Sequence, residues 1–487
     1  MEKAQLLQVS SASDDRGDED AASPLAGAIA GHQQERGESR SGEVRGHVRP
    51  KLFLALLTVS SALGGLLFGF DTAVISGALL IMQKDIPVTT FEKELVVSAT
   101  VLFAAFASVG VSHVADRYGR KLVIQGGSMA FAVGAVWLAI SPKVWHLIAA
   151  RSIVGIGLGM SSTIVPVYLS ECAPPKFRGR MSVIYNLFVT GGQFIAACIC
   201  AMLAESSPHG GWRIMFGVGV IPALMQFTAF CYLPETPVWL MAKGKSGKAL
   251  QVLQRMGRGV EQRDHGVGGV ERGPSLNVVD IVCGRADERV NRALRLGMLL
   301  QFLQQSTAIN VVMYYGTLIV KQSGVKSDTD SLYVNIVIAL VNFVFSSIGM
   351  MIVDTHGRRP LLLWSLGLVN AMLVLLAVAF GLSAPSWIII VSICLYLITF
   401  APGMSPMPWC ICAEIFPARA RAACMALSTF TNWATNFVVS LTFLSISETL
   451  SPAGAFAGYA FIGMCGFGFL WIRLPETKGV PLDDITI

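Results

Sequence analysis

Charge is what this chain has least of. Asp, Glu, Lys and Arg make up 14% of its 487 residues, 53% are hydrophobic, and the mean hydropathy is +0.59. A soluble globule usually carries about 25% charged residues, so the shortage excludes an ordinary water-soluble fold of this length. Cysteine pairing is missing too. The ten cysteines are scattered, several inside apolar runs (Cys198, Cys200, Cys394, Cys465), and none has metal-ligand spacing. They read as small buried apolar residues, and neither a metal nor any other cofactor is expected. No Asn-X-Ser/Thr sequon occurs, and no cleavable leader is read in the polar N-terminal stretch. The net charge of +6 is spread over loops, so nucleic acid, which needs a basic patch on a soluble face, is not an expected partner. Catalytic parts are lacking as well. "GIGLGM" (Gly155 to Met160) has the glycines of a dinucleotide loop, but it lies within an apolar run with no preceding strand, where close helix packing explains it. No enzyme activity is expected.

What is present is bilayer-length hydrophobicity. Apolar runs of about 20 residues, enough to cross roughly 30 Å of hydrocarbon as a helix, recur from residue 53 to residue 473. About twelve can be read off, about half of them before residue 234 and half after residue 292. The first 51 residues carry clustered acids (Asp14, Asp15, Asp18, Glu19, Asp20) and are expected to be a disordered tail. Residues 241–291 are charged and Gly-rich, too polar to cross and too few for a catalytic domain, with short helices expected over 248–256 and 277–292. The expected division is a tail (1–51), a six-helix bundle (52–234), a linker (235–291), a second six-helix bundle (292–474) and a short tail (475–487). Lys and Arg gather in alternate loops (Arg117, Arg120, Lys121, Lys176, Arg178, Arg180, Arg358, Arg359, Arg419, Arg421) and thin out in the others. That bias places those loops, the linker and both termini in the cytoplasm, and the chain is expected at the plasma membrane.

The two halves repeat each other. "ADRYGRK" returns as "VDTHGRRP", with Asp116 and Asp354 offset by 238 residues; "SECAPPKFRGR" returns as "AEIFPARARA", with Glu171 to Glu414 and Arg178 to Arg421 both offset by 243; "LPETP" returns as "LPETKG". A duplicated six-helix unit whose copies face each other is the architecture of alternating access, with the substrate near the midplane. Asp116, Arg120, Glu171 and Arg178, with Asp354, Arg358, Glu414 and Arg421, can form ion pairs that latch the inner side. The other reading is that the basic residues only set topology.

Within the spans, polar residues are few enough to single out. Asp71 interrupts "SALGGLLFGFDTAVISGALL" near its middle, and a carboxylate there needs a partner, a water path or a proton. Arg151 is the candidate partner, because both residues lie roughly 9–15 Å below the same membrane surface. Separating them would let Asp71 take up or release a proton; a permanent bridge that only staples the bundle is the alternative. Gln304, Gln305 and Asn310, with Asn342, Asn432 and Asn436, offer donors and acceptors suited to a ring bearing many hydroxyls. Trp409 adds a flat apolar face for such a ring. One by one these amides read equally well as helix–helix glue.

"GGLLFGFD", "DRYGRK", "PETPVWL", "QQSTAIN", "GRRP", "MPWCICAEIFP" and "PETKG", in this order, resemble the sugar porter family of the major facilitator superfamily over roughly residues 52 to 480. The resemblance implies twelve transmembrane helices in two pseudo-symmetric six-helix bundles with a cytoplasmic helical linker. It implies a proton role for Asp71, since the proton-coupled members carry Asp there, and it places Asn186 and Gln193 in the pocket. Asn186 with "TGGQF", "INVVMYY" and "FAPGMSPMPW" looks most like the proton/myo-inositol cotransporters. The implied activity is proton symport of myo-inositol or a related polyol, with a hexose carrier, proton-coupled or passive, as the alternative. A non-transporting nutrient sensor would be expected to add a long signalling tail, and this chain reaches Ile487 soon after "PETKG". Val238, Ala422 and Ser405 depart from the family's usual Arg, Gly and Gly.

Overall fold

A computed structural model describes residues 50–172, 178–207, 209–256, 276, 278–352, 357–417 and 419–478. Among these the regular structure is helical throughout. Eight of the helices or helix pairs correspond one to one with apolar runs: α1 (Pro50–Asp85), α2 (Thr90–Tyr118), α3 (Arg120–Ile140), α4 (Val144–Cys172), α5 (Arg178–Ser206), then α6 (Gly211–Val218) with α7 (Val220–Tyr232), and later α13 (Asp328–Ile352) and α14 (Arg358–Gly381). Two further runs are broken helices: α11 (Glu288–Ser306) with α12 (Ile309–Gln322), and α15 (Ser386–Phe400) with α16 (Met407–Ile415). The last, α17 (Arg421–Arg473), is 53 residues long and contains a break at Ser451, φ 69° and ψ 161°, just before Pro452. Its two parts are two spans, which brings the described total to the expected twelve.

Local chemistry explains the breaks. Thr89 and Glu92 form a capping box that starts α2. Gly119, at φ +107°, ends α2 and begins α3 in a conformation that disfavours side chains; a Cβ there would lie 2.2 Å from Glu235 Oε2. The α11–α12 break turns on Ala308, left-handed at φ 71°, a costly conformation for a residue with a Cβ. Pro402, Gly403 and Pro406 separate α15 from α16. In the linker, α8 (Pro237–Ala242), α9 (Ser246–Arg255) and α10 (Val278–Val282) are short. The helix expected over 277–292 is two elements, because Gly284 takes φ +75° and the chain restarts at Glu288 as the head of α11.

Small residues let the helices of the first half approach closely. On α1, a Cβ on Gly69 would lie 1.8 Å from the Val189 carbonyl oxygen of α5, and Gly192 of α5 answers against Leu66. The "GIGLGM" glycines do the same on α4, with Gly155 against Thr100, Gly157 against Gly127 and Gly159 against Ala104. Because Asp71 follows Gly69 by two residues, this contact sets where the acid sits. Gly69→Ala must push α1 off α5, and overpacking of this kind costs about 1–3 kcal/mol. A thermal unfolding scan in detergent should place its midpoint several degrees below wild type; an unchanged midpoint would show that α1 does not depend on this approach.

A buried ion pair beside an amide cluster between the halves

Asp71 of α1 and Arg151 of α4 meet: Nη1 lies 2.5 Å from Oδ1, with the side chains 1% and 6% exposed. Arg151 is held on its other edge, where Nε donates to the Val96 carbonyl of α2 at 3.2 Å. The Thr100 hydroxyl, one turn on, donates to the Arg151 carbonyl at 3.1 Å. A buried pair of this kind is costly unless its remaining hydrogen-bonding groups are also satisfied, and α2 supplies that.

The amides gather on the second half. Asn432 of α17 is their hub: its Nδ2 donates to Gln301 and to Gln304, both at 2.8 Å, and its Oδ1 accepts from Gln305 Nε2 at 3.0 Å. Gln304 Nε2 donates to the carbonyls of Met404 and Ser405 at the α15–α16 break, at 2.9 and 2.8 Å. Asn310 donates to Gln305 Oε1 at 2.7 Å. Across the seam, Asn342 of α13 donates to Gln193 Oε1 of α5 at 2.8 Å. Asn436 donates to the Tyr314 hydroxyl at 3.2 Å, while its own Oδ1 is buried without a partner. Tyr314 in turn lies within electrostatic reach of both Asp71 and Arg151. Asn186 and Trp409 are half-buried, and none of the described hydrogen bonds runs through them. Gln301 and Tyr314 escaped the sequence reading. Gln301 is one turn before Gln304 on the same face of α11, the one signal that could have found it.

At the Arg-rich end each half builds the same cluster. Arg120 pairs with Asp116 at 3.0 Å and Glu171 at 3.2 Å, and Glu235 accepts from the backbone N–H groups of Arg120 and Lys121 at 3.0 and 3.1 Å. In the second half Arg358 pairs with Glu414 at 3.2 Å, and Glu476 accepts from the N–H groups of Arg358 and Arg359 at 3.0 and 3.3 Å. Burial raises the Glu235 carboxyl above the ordinary range, while its N–H donors pull it back. These described pairs run within each half. Glu414 is shared between Arg358 and the Thr477 hydroxyl, and Arg421 donates instead to the Phe416 carbonyl at 3.2 Å. Asp354 and the side chain of Arg178 lie outside the described residues, as do 1–49, 257–275 and 479–487.

The opposite end is where the halves are tied together. Thr317 of α12 donates from its hydroxyl to the Ser76 carbonyl of α1 at 2.6 Å and from its N–H to the Ser76 hydroxyl at 3.1 Å, Lys84 pairs with Asp328 at 2.5 Å, Tyr333 donates to Glu205 at 3.0 Å, and Thr90 donates to Glu448 at 2.5 Å. Two helix bundles with a polar site at mid-depth, tied at one end, form a transporter-like frame. The profile of the family described as "Sugar (and other) transporter" matches residues 57–487. The chain belongs to this family. As a sugar transporter family member it is a multi-pass membrane protein with the major facilitator superfamily fold. It is 33% identical to the proton myo-inositol cotransporter of Homo sapiens, over 89% of this chain and 81% of that one. It is also 33% identical to myo-inositol transporter 2 of Schizosaccharomyces pombe, over 88% and 80%. Among solved structures, the partially occluded inward-open form of the xylose transporter XylE from E. coli aligns with TM-score 0.74 and 26% identity, over 88% of this chain and 99% of that one.

Proposed function

We propose that this sugar transporter family member is a proton symporter of myo-inositol or a related polyol, working by alternating access in the plasma membrane. The observation that carries the reading is one buried acid–base pair, Asp71–Arg151, in the same molecule as a cluster of neutral amides, with Tyr314, which accepts from Asn436, within electrostatic reach of the pair. The pair holds the proton; the cluster holds the hydroxyls. Amides that already bond one another are preorganised, and the unpartnered Oδ1 of Asn436 offers an acceptor to a substrate hydroxyl. We assign substrate binding to Gln193, Gln304, Gln305, Asn310, Asn342, Asn432 and Asn436, with Asn186 and Trp409 from the sequence reading. The inositol transporters of human and fission yeast among the relatives support the choice of substrate. A sugar instead of an inositol is the second reading, favoured by the likeness to the xylose transporter.

The bundles 52–234 and 292–474 are the rocking units and 235–291 is the linker between them. The Arg-rich end, the linker and both tails (1–51 and 475–487) face the cytoplasm, following the charge bias of the loops. We assign the inner latch to the clusters Asp116–Arg120–Glu171 and Arg358–Glu414, together with Arg178, Asp354 and Arg421 of the repeated motifs. Purified protein in liposomes should take up labelled myo-inositol in preference to glucose, and accumulate it only under an inward electrochemical proton gradient, whether pH difference or potential. Preference for glucose rejects the inositol assignment; accumulation without a gradient rejects symport.

A further inference from the structure

Glu94 is a buried carboxylate that the reading above does not use. It lies early in α2, is 0% exposed, and reaches across the seam between the halves. Its oxygens accept from one residue of α17: the backbone N–H of Ser445 at 2.8 Å and the Ser445 hydroxyl at 2.6 Å. The titratable groups facing it are Glu448 of α17, Tyr315 of α12, and Tyr459 beyond the Ser451 break, whose hydroxyl is buried without a partner. None of these is a cation, and the adjacent Lys93 donates to Gln83 at 3.1 Å. An acid in a membrane span is costly, and the donors that compensate this one come from the opposite half. Its bonding is therefore complete only while the two halves are together.

The same stretch of α2 holds the proton pair. Val96, two residues on, accepts from Arg151, and Thr100 donates to the Arg151 backbone. One helix is thus tied at Val96 to the partner of Asp71 and at Glu94 to the other half of the molecule. We propose that Glu94 is a positioning residue of the coupling step, linking closure of this end to the state of the Asp71–Arg151 pair, with α2 as the shared element. The inference rests on the proton reading of Asp71. In this structure the pair is formed and Glu94 is engaged. Protonation of Asp71 loosens its hold on Arg151, frees α2 to shift, and withdraws Glu94 from Ser445. By reciprocity, weakening the Glu94–Ser445 contact favours the protonated pair.

The test uses the full chain in proteoliposomes, comparing wild type with Glu94→Gln and Ser445→Ala. Gln removes the charge that strengthens both bonds; Ala removes only the hydroxyl and suits a helix, so it serves if Glu94→Gln does not fold. Deuterium exchange over residues 441–450 should rise about tenfold in Glu94→Gln and less in Ser445→Ala, as expected for losing a hydrogen bond to a charged group. The pH of half-maximal gradient-driven uptake should move upward, by as much as about one unit for a tenfold change in the linked equilibrium. A purely structural role lowers uptake at every pH and leaves the midpoint in place. That outcome, or unchanged exchange over 441–450, overturns the proposal. Asp71→Asn, run in parallel, separates the two readings. If it loses pH dependence while the Glu94 midpoint stays fixed, the role of Glu94 alone has failed; if it keeps pH dependence, the proton reading of Asp71 has failed and the coupling falls with it.

Discussion

Asp71→Asn should bring uptake to equal concentrations on the two sides of the membrane, where the proposed symport lets wild type accumulate substrate up to about fifty-fold under 100 mV. That ceiling follows from the roughly 2.3 kcal/mol released when one charge falls through 100 mV. Asparagine can still bond to Arg151, but it cannot exchange a proton, so no ion movement is tied to the substrate. Counterflow of labelled against unlabelled substrate should persist, because Gln304, Asn432 and the rest of the amide cluster are untouched. The substitution also strands a guanidinium that is 1% exposed, and breaking a buried pair costs about 3–5 kcal/mol of stability. The double variant Asp71→Asn with Arg151→Gln removes that stranded charge. It should recover thermal stability without recovering accumulation, which separates coupling from folding. Accumulation by Asp71→Asn at the wild-type level would remove this acid from the mechanism.

Asn432→Ala should weaken substrate binding by about a hundredfold or more at unchanged proton dependence. Asn432 makes three described side-chain bonds, to Gln301, Gln304 and Gln305. Truncation leaves each of those amides short of a partner, and a buried polar group left unsatisfied costs about 1–3 kcal/mol. Gln304 and Gln305 would then be free to turn out of their present arrangement, so the proposed preorganisation is lost along with the contact itself. The expected signature is a raised KM for uptake with little change in maximal rate, as for loss of uniform binding. Asn432→Asp would keep the acceptor but lose the two donated bonds, and should fall on the same side. An unchanged KM in Asn432→Ala would mean that the amides are helix–helix glue, which is how each of them reads when taken alone.

Gln301 shows where sequence reading stopped. It stands one turn from Gln304 on the same helix face, yet Gln301 in the sequence is one polar residue in an amphipathic stretch that starts at the charged head of α11. Only the approach of Asn432 from α17 makes it part of the cluster. Glu94 is a similar case: it sits in "FEKELVV" beside two charged neighbours, Glu92 and Lys93, and looks like the wet start of a span. Its burial depends on α17 lying across it. The Arg-rich ends were more legible, because Arg120 and Arg358 recur at a fixed offset within matched motifs, but the partners differ from simple sequence proximity. Glu171 and Glu235 reach Arg120 from two other segments of the first half, and Glu414 and Glu476 repeat that arrangement around Arg358 in the second.

Residue order was enough to show that this chain crosses a membrane about twelve times, that it is built from two related halves, and that Asp71 has Arg151 at its depth. Hydrophobic run length, internal repetition and helical rise are local or periodic properties, and each is written along the chain. It took the tertiary structure to show which amides bond one another, which end holds the ties between the halves, and that Glu94 spans them. Those facts depend on which helix faces touch, and contacts between residues hundreds of positions apart leave no periodic trace in a single sequence.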